Sequence, residues 1–251
     1  MMTPDRKNRI VNAFSRRAGG YDMAADVQWL VARRLAERIE AAPLGRAGRI
    51  LEIGCGTGFL SAQLADAFPE SGLVLTDIAA SMLARCRSRV GERPRYQVVD
   101  GERPEGLDGQ FDLIASNLAF QWFVDLARGL ERLAALLAPG GRLMFATLGR
   151  ETFSEWRAAH QALGFSCGTP LYPGADDFPW PAGMVCQMEE EVIRQPYADG
   201  HDFVRTLKGL GAGEPAPGHQ PLSAGAMRRL LASLEGGFTA SYHILFGEIV
   251  A

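Results

Sequence analysis

Glu52 stands two residues before a run of glycines at 54, 56 and 58, and Asp77 closes the apolar stretch that comes next. Glycine lets the main chain adopt positive φ and approach a ligand without a Cβ in the way. A dinucleotide fingerprint spaces its glycines G-x-G-x-x-G around a pyrophosphate, which a neighbouring carboxylate would repel. Here the spacing is G-x-G-x-G and an acid precedes it, which suits a ligand with a cationic end such as an ammonium or a sulfonium. Asp77 falls roughly twenty residues beyond the turn, where nucleotide-binding α/β sheets place a carboxylate against a ribose. Its two acceptor oxygens match two hydroxyl donors. The plainer readings are a glycine turn that only joins strand to helix, and an aspartate that only caps the next helix.

These residues need a strand, a turn and a helix to hold them. Ile50, Leu51 and Ile53 predict a buried strand, and Phe59, Leu60, Leu64 and Ala65 start a helix that ends at Phe68, before Pro69. Its N-terminal amides face the glycine turn. GLVLTDIA, RYQVVD, FDLIASN and GRLMFATLG read as four further strands, with helices between several of them. One of those helices carries Leu130, Leu133, Leu136 and Leu137 and is expected to stop at Pro139-Gly140-Gly141. This alternation predicts an α/β fold with a parallel sheet wound on both faces, whose ligand lies at the carboxyl ends of the strands. Gly54 to Gly58, Asp77, Asp100 and Asn117 all follow strand ends.

Two helices precede the first strand, one over residues 8 to 20 and one carrying Val27, Leu30, Val31, Leu35 and Ile39 at helical spacing. Tyr21 sits in the joint between them. It either packs as a hinge or closes over the ligand, with Gln28 facing inward from the second helix. Beyond Arg150 a helix is expected over 151 to 164, then a Pro- and Gly-rich stretch to 183. MEEEVIRQPYAD reads as a strand, two helices follow at 201 to 211 and 223 to 235, and FTASYHILFGEIVA is expected to pair antiparallel with 188 to 198. The two helices then form an insertion that would lie over the sheet as a lid.

Nearly half of the 251 residues are hydrophobic and the net charge is −3. The first supports a substantial core, and the second argues against a protein held on nucleic acid mainly by phosphate contacts. Four cysteines without C-x-x-C spacing speak against a zinc site or a disulfide scaffold and fit a reducing cytoplasm. No signal peptide, transmembrane run or repeat is legible.

LEIGCGTG resembles the first motif of class I S-adenosylmethionine-dependent methyltransferases. AFSRRAGGYDMAADVQ, SNLAFQWFVDL, FVRTLKGLGA and FTASYHILFGEIVA extend the resemblance, over nearly the whole chain, to the malonyl-acyl carrier protein O-methyltransferases of biotin synthesis. The resemblance implies a Rossmann-like fold: seven strands, mostly parallel, the last antiparallel, with N-terminal helices and a helical lid between the last two strands. It divides the chain into cofactor-covering helices (1–47), an S-adenosylmethionine-binding core (48–150), and a completion of the sheet (151–251) with strands near 188–198 and 238–251 and the lid at 199–237. The implied cofactor contacts are Tyr21, Gln28, Glu52, Gly54, Cys55, Gly56, Gly58, Asp77, Ile78, Met82, Asp100, Gly101, Glu102, Asn117 and Leu118. Asp100 is the acid that would receive the adenine amine.

A malonyl carboxyl, with a pKa of roughly 3 to 4, is already an anion at neutral pH, so the implied reaction needs no general base. His160, His201, His219 and His243 form no recognisable dyad and read as surface or helix-face residues. Tyr21, Trp122 and Arg150 are the positioning candidates; Arg150, Arg205 and Lys208 are the cations that could hold the carboxylate. Acyl carrier proteins are acidic, so a docking patch should be basic: Arg33, Arg34 and Arg38, or Arg228 and Arg229. Methylation of a free small acid, as by trans-aconitate methyltransferase, of a quinone precursor, or a non-catalytic binding role are the competing readings. No metal is expected.

Overall fold

The computed structural model of the chain describes residues 7, 9, 11, 12, 14, 15, 22, 25–44, 47–211, 213–216 and 218–251. Helix α1 (Asp26–Ala41) precedes β1 (Arg49–Ile53), α2 (Phe59–Ala67), β2 (Gly72–Asp77), α3 (Ala80–Val90), β3 (Arg95–Val98) and β4 (Phe111–Asn117). A 3-10 turn (Phe120–Trp122) leads to α4 (Leu126–Ala134), β5 (Leu137–Leu148), α5 (Ser154–Ala162) and β6 (Val185–Tyr197). Then α6 (Gly200–Gly209) and α7 (Ala224–Ala232) intervene before β7 (Phe238–Val250). Lys7, Arg9, Val11, Asn12, Phe14 and Ser15 are also helical. Among the described residues no helix is long and apolar enough to cross a membrane.

The seven strands form one sheet in the order β3-β2-β1-β4-β5-β7-β6. The first five pair in parallel, whereas β7 runs antiparallel to both β5 and β6. Strand order reverses between β1 and β4, and that switch point opens a crevice at the carboxyl ends. The central strands are apolar on both sides, as a sheet covered on two faces requires. One face buries Ile50, Leu75, Leu113 and Ala146 beneath Val27, Val31, Leu35 and Ile39 of α1 and Leu60 and Leu64 of α2. The other buries Leu51, Ile53, Ile114 and Phe145 against Leu130 and Leu133 of α4 and the Phe178–Trp180 segment.

Several boundaries differ from the expectation. Helix α4 ends at Ala134, and Pro139-Gly140-Gly141 lies inside β5 rather than capping the helix. Pairing begins early because Leu137 meets Phe111, and a register shift before Leu113 takes up the intervening residues. Gly140 turns at φ +75, and a Cβ on Gly141 would stand 2.7 Å from the Phe111 carbonyl, so this bulge needs both glycines. Strand β3 stops at Val98, leaving Asp100 in an isolated bridge to Arg103. His160, 3% exposed, lies on the buried face of α5, whereas His243, 6% exposed in β7, is neither a surface nor a helix-face residue. His160 bonds the Trp156 carbonyl and His243 meets Glu190 at 2.8 Å.

Edge strand β6 shows how pleat alternation assigns charge. Glu189 and Glu191 point one way and bind Arg38 and Arg34 of α1, while Glu190 points the other way to His243. Arg34 and Arg38 therefore fasten α1 to the sheet edge. An aromatic cluster of Phe153, Trp156, Tyr197, Phe203, Phe238 and Tyr242 seats α6 on β6 and β7.

Gly247 of β7 faces Phe145 of β5 in the register, and a Cβ there would fall 2.1 Å from the ring. Gly247→Ala should lower the urea midpoint with an unchanged slope, a loss of about 1–3 kcal/mol for overpacking a full core.

Candidate active site

The crevice at the switch point is a cavity walled by the turn after β1, the ends of β2 and β4, the segment after β3, and α1. Gln28, Glu52, Gly54, Cys55, Gly56, Asp77, Ile78, Met82, Asp100, Gly101, Asn117, Leu118 and Trp122 line it together, as do Lys7 and Phe14. Gly54 and Gly56 hold φ +70 and +55, and a Cβ on Gly54 would come within 2.5 Å of Ala119 Cβ. No protein atom lies within 4 Å of where a Cβ on Gly56 would be, so the turn leaves bare backbone at the cavity wall. Gly58, at φ +93, packs instead under Cys86 at the start of α2.

Glu52 is 1% exposed, and its carboxylate accepts the Ser61 hydroxyl at 2.5 Å. Burial pushes its pKa well above the usual carboxylate range and Cys86 adds to that, against the hydroxyl's pull. Two more acceptors converge on this end. The side-chain oxygens of Gln28 and Asn117 are buried and have no hydrogen-bond partner among the described residues. The Asn117 amide donates to the Gln28 carbonyl at 3.2 Å, tying α1 to the end of β4. A buried carboxyl and two unsatisfied acceptors are costly alone and suit an ammonium with three donors.

Asp77 combines both of its sequence readings. One carboxylate oxygen accepts the Ala79 amide at 2.8 Å and the other accepts the Gly56 amide at 3.0 Å. A carboxylate has about four lone-pair positions, so two remain for a diol. Burial lifts its pKa to about 6, against the pull of neighbouring backbone amides. Ile78, Met82, Val99 and Phe123 add apolar walls. The residues present thus fit a nucleoside with a cationic amino-acid end, as S-adenosylmethionine has.

Residues 51–143 match a methyltransferase-domain family. A malonyl-[acyl-carrier protein] O-methyltransferase of Magnetococcus marinus is 43% identical over 251 residues, covering 97% of this chain and 92% of that protein. The chain belongs to the malonyl-[acyl-carrier protein] O-methyltransferase family. The biotin biosynthesis bifunctional protein BioCD of Bordetella avium is also 43% identical, over 98% of this chain and 52% of its own length. Among solved structures, a methyltransferase from Bacillus halodurans has a TM-score of 0.61 at 13% identity, covering 87% of this chain and 98% of that one. The N-methyltransferase NodS of Bradyrhizobium japonicum, solved with S-adenosylhomocysteine, has a TM-score of 0.55 at 15% identity, covering 96% and 98%. At that identity both share the fold.

Within this family member, other sequence-derived candidates sit elsewhere. Glu102 is buried outside the cavity, where its carboxylate accepts the Val124 and Asp125 amides and pairs with Lys7. Burial raises its pKa, but Lys7 and those amides outweigh this and hold it below the ordinary value. Asp100, by contrast, lines the cavity, where it too pairs with Lys7 and its other oxygen accepts the Glu102 amide. Arg150 is not among the residues that wall this cavity: its side chain is 46% exposed and its guanidinium pairs with Asp176 and Asp177. Arg205 is exposed and paired with Asp202, and Lys208 is exposed. Tyr21 lies outside the described residues.

A second cavity shares Phe14, Gln28, Leu118 and Trp122 with the first. It continues between Gln121, Leu148, Phe153, Tyr172 and Tyr242 on one side and Leu207 of α6 and Leu210 at its C-cap on the other. Phe14 and Trp122 meet edge to face at 5.4 Å where the cavities adjoin. Gln121 and Tyr172 were not singled out from the sequence. Gln121 is a neighbour of Trp122 in QW, but nothing in its local pattern says that it faces a cavity.

Asp77 yields a pH prediction with two signs. Its folded pKa exceeds the unfolded value, so its stability contribution to the cofactor-free protein is present below about pH 4 and is lost as pH rises through about 6. Diol binding prefers the ionised carboxylate, so affinity for S-adenosylhomocysteine should rise through about pH 6 and then level. Calorimetry across pH 5–8 checks this, and Asp77→Asn should flatten the curve at weaker binding.

Proposed function

We propose that the protein transfers the methyl group of S-adenosylmethionine to the free carboxylate of a malonyl thioester on acyl carrier protein, an early step of biotin synthesis. The observation that carries this reading is the 43% identity to the Magnetococcus marinus enzyme along 97% of the chain, lid helices included. The second cavity, sharing four side chains with the first, supports it by offering an acceptor chamber beside the cofactor site.

S-adenosylmethionine supplies an electrophilic methyl on a cationic sulfur. Glu52, Gln28 and Asn117 hold the amino-acid end, and Asp77 holds the ribose. Phe14 and Trp122 border the passage between the chambers and keep water from it. Because the acceptor is already ionised, the chain's contribution is orientation, which can supply about 7–11 kcal/mol. On this reading residues 1–47 cover the cofactor, 48–150 bind it, and 151–251 complete the sheet and carry the lid at 199–237.

For carrier docking, Arg34 and Arg38 are engaged by Glu191 and Glu189, and Arg33 reaches Glu37 and lies over Trp29. Arg228 and Arg229 of α7 are exposed, the latter over Phe165. They are the better candidates for an acidic partner.

Purified protein should form methyl ester from malonyl-carrier protein far faster than from trans-aconitate, read by mass spectrometry of the carrier; the reverse preference would favour the free-acid reading. Above pH 7, where Asp77 is ionised, kcat should show no further dependence on a general base up to about pH 9. Arg228→Glu with Arg229→Glu should raise KM for the carrier substrate several-fold and leave cofactor affinity unchanged. An unchanged KM would reject that docking face.

A further inference from the structure

The second cavity is unusual for a site that takes an anion: among its described lining residues none carries a charge. Its polar side-chain groups are amides, phenols and the Trp122 indole. Tyr242 shares a hydrogen bond with Tyr197 at 2.7 Å, and Tyr172 stands near it. Gln121 is held at both ends of its amide. Its nitrogen donates to the Leu118 carbonyl at 2.6 Å, and its oxygen accepts the buried Thr147 hydroxyl at 3.4 Å. An amide nitrogen carries two hydrogens. One is committed to Leu118; the other is left to a side chain that lines the chamber and cannot turn without breaking both bonds.

We propose that Gln121 orients the acceptor carboxylate, donating its second amide hydrogen to the oxygen that is not methylated, in a chamber whose described lining is neutral. This rests on the carboxyl-methylation reading. In the transfer a carboxylate oxygen uses a lone pair to form the new C–O bond, and the S–CH3 bond breaks with its electron pair remaining on sulfur. An anion and a cation become a neutral ester and a neutral thioether, and no proton moves.

Charge is therefore lost on the way to the transition state. A fixed cation beside the carboxylate would stabilise the reactant anion more than the partly neutralised transition state, and only the difference between the two affects kcat. A neutral donor fixes geometry with less of that penalty. Among the described lining residues of this chamber nothing competes with the sulfonium as countercharge, and Arg150 and Arg205 spend their charge on surface aspartates.

The test is steady-state kinetics with S-adenosylmethionine and malonyl-carrier protein, beside calorimetry with S-adenosylhomocysteine. Gln121→Leu should lower kcat about 10- to 100-fold, as for loss of a hydrogen bond to a charged group, with the S-adenosylhomocysteine dissociation constant within about two-fold of wild type. Gln121→Lys should lower KM and kcat together, the split expected when a cation favours the bound reactant. Wild-type kcat in Gln121→Leu, or a kcat above wild type in Gln121→Lys, would overturn the proposal. So would a loss of S-adenosylhomocysteine affinity matching the loss of kcat, because Gln121 would then be only a brace for Leu118. Absence of ester with the wild-type protein would instead overturn the carboxyl-methylation reading itself, and the proposal with it.

Discussion

The buried carboxylate of Glu52 is the constraint on which the site depends. It lies at the centre of the sheet, with the Ser61 hydroxyl as its hydrogen-bond donor. An isolated carboxyl in that position costs stability that a purely structural residue would not impose. The cost is offset when a cationic group enters, and the same groups that make the cavity expensive make it selective. The unpartnered oxygens of Gln28 and Asn117 act in the same sense. Each is an acceptor, so the amino-acid end of the cavity favours a cation.

The fold brings those acceptors together through one topological fact. Reversal of strand order between β1 and β4 separates the turns after these strands enough to leave a crevice, and both turns take positive φ where they wall it. Gly54 and Gly56 take positive φ without penalty, whereas Leu118 takes φ +50 with a full side chain. Leu118 keeps that conformation because its amide donates to the Ala146 carbonyl and its own carbonyl accepts the Gln121 amide. Leu118, strained at the end of β4, is thus one of the four residues shared by the two adjoining cavities.

Beyond the sheet, the described N-terminal residues and α6 meet the two cavities. Lys7 bridges Asp100 and Glu102 while Phe14 packs on Trp122, so the first helical residues are held by charge and by an aromatic contact. Asp22 accepts from the Thr57 hydroxyl and from Arg89, which also reaches the Thr57 carbonyl. The joint before α1 is therefore fastened to the glycine turn itself. Helix α6 rests on aromatic rings, and Leu207 with the C-cap residue Leu210 lines the second cavity.

Sequence alone determined what local chemistry determines. Glu52, the glycine spacing and Asp77 carry their meaning within a strand, a turn and a helix, so ligand class and sheet type were legible there; the strand pattern of FTASYHILFGEIVA gave its antiparallel pairing. Tertiary structure decided what depends on partners distant in the chain. Arg34, Arg38 and Arg150 look alike as exposed cations until β6 and the 176–177 turn supply their carboxylates. Pro139-Gly140-Gly141 reads as a helix stop until Phe111 pairs with Leu137, and Glu102 reads as a site acid until two amides from the next loop claim it. Gln121 gained its place only when β5, α6 and the loop bearing Tyr172 closed around it. Periodicity reports which face of an element is buried; which charge or cavity meets that face is fixed by contacts between elements far apart in sequence.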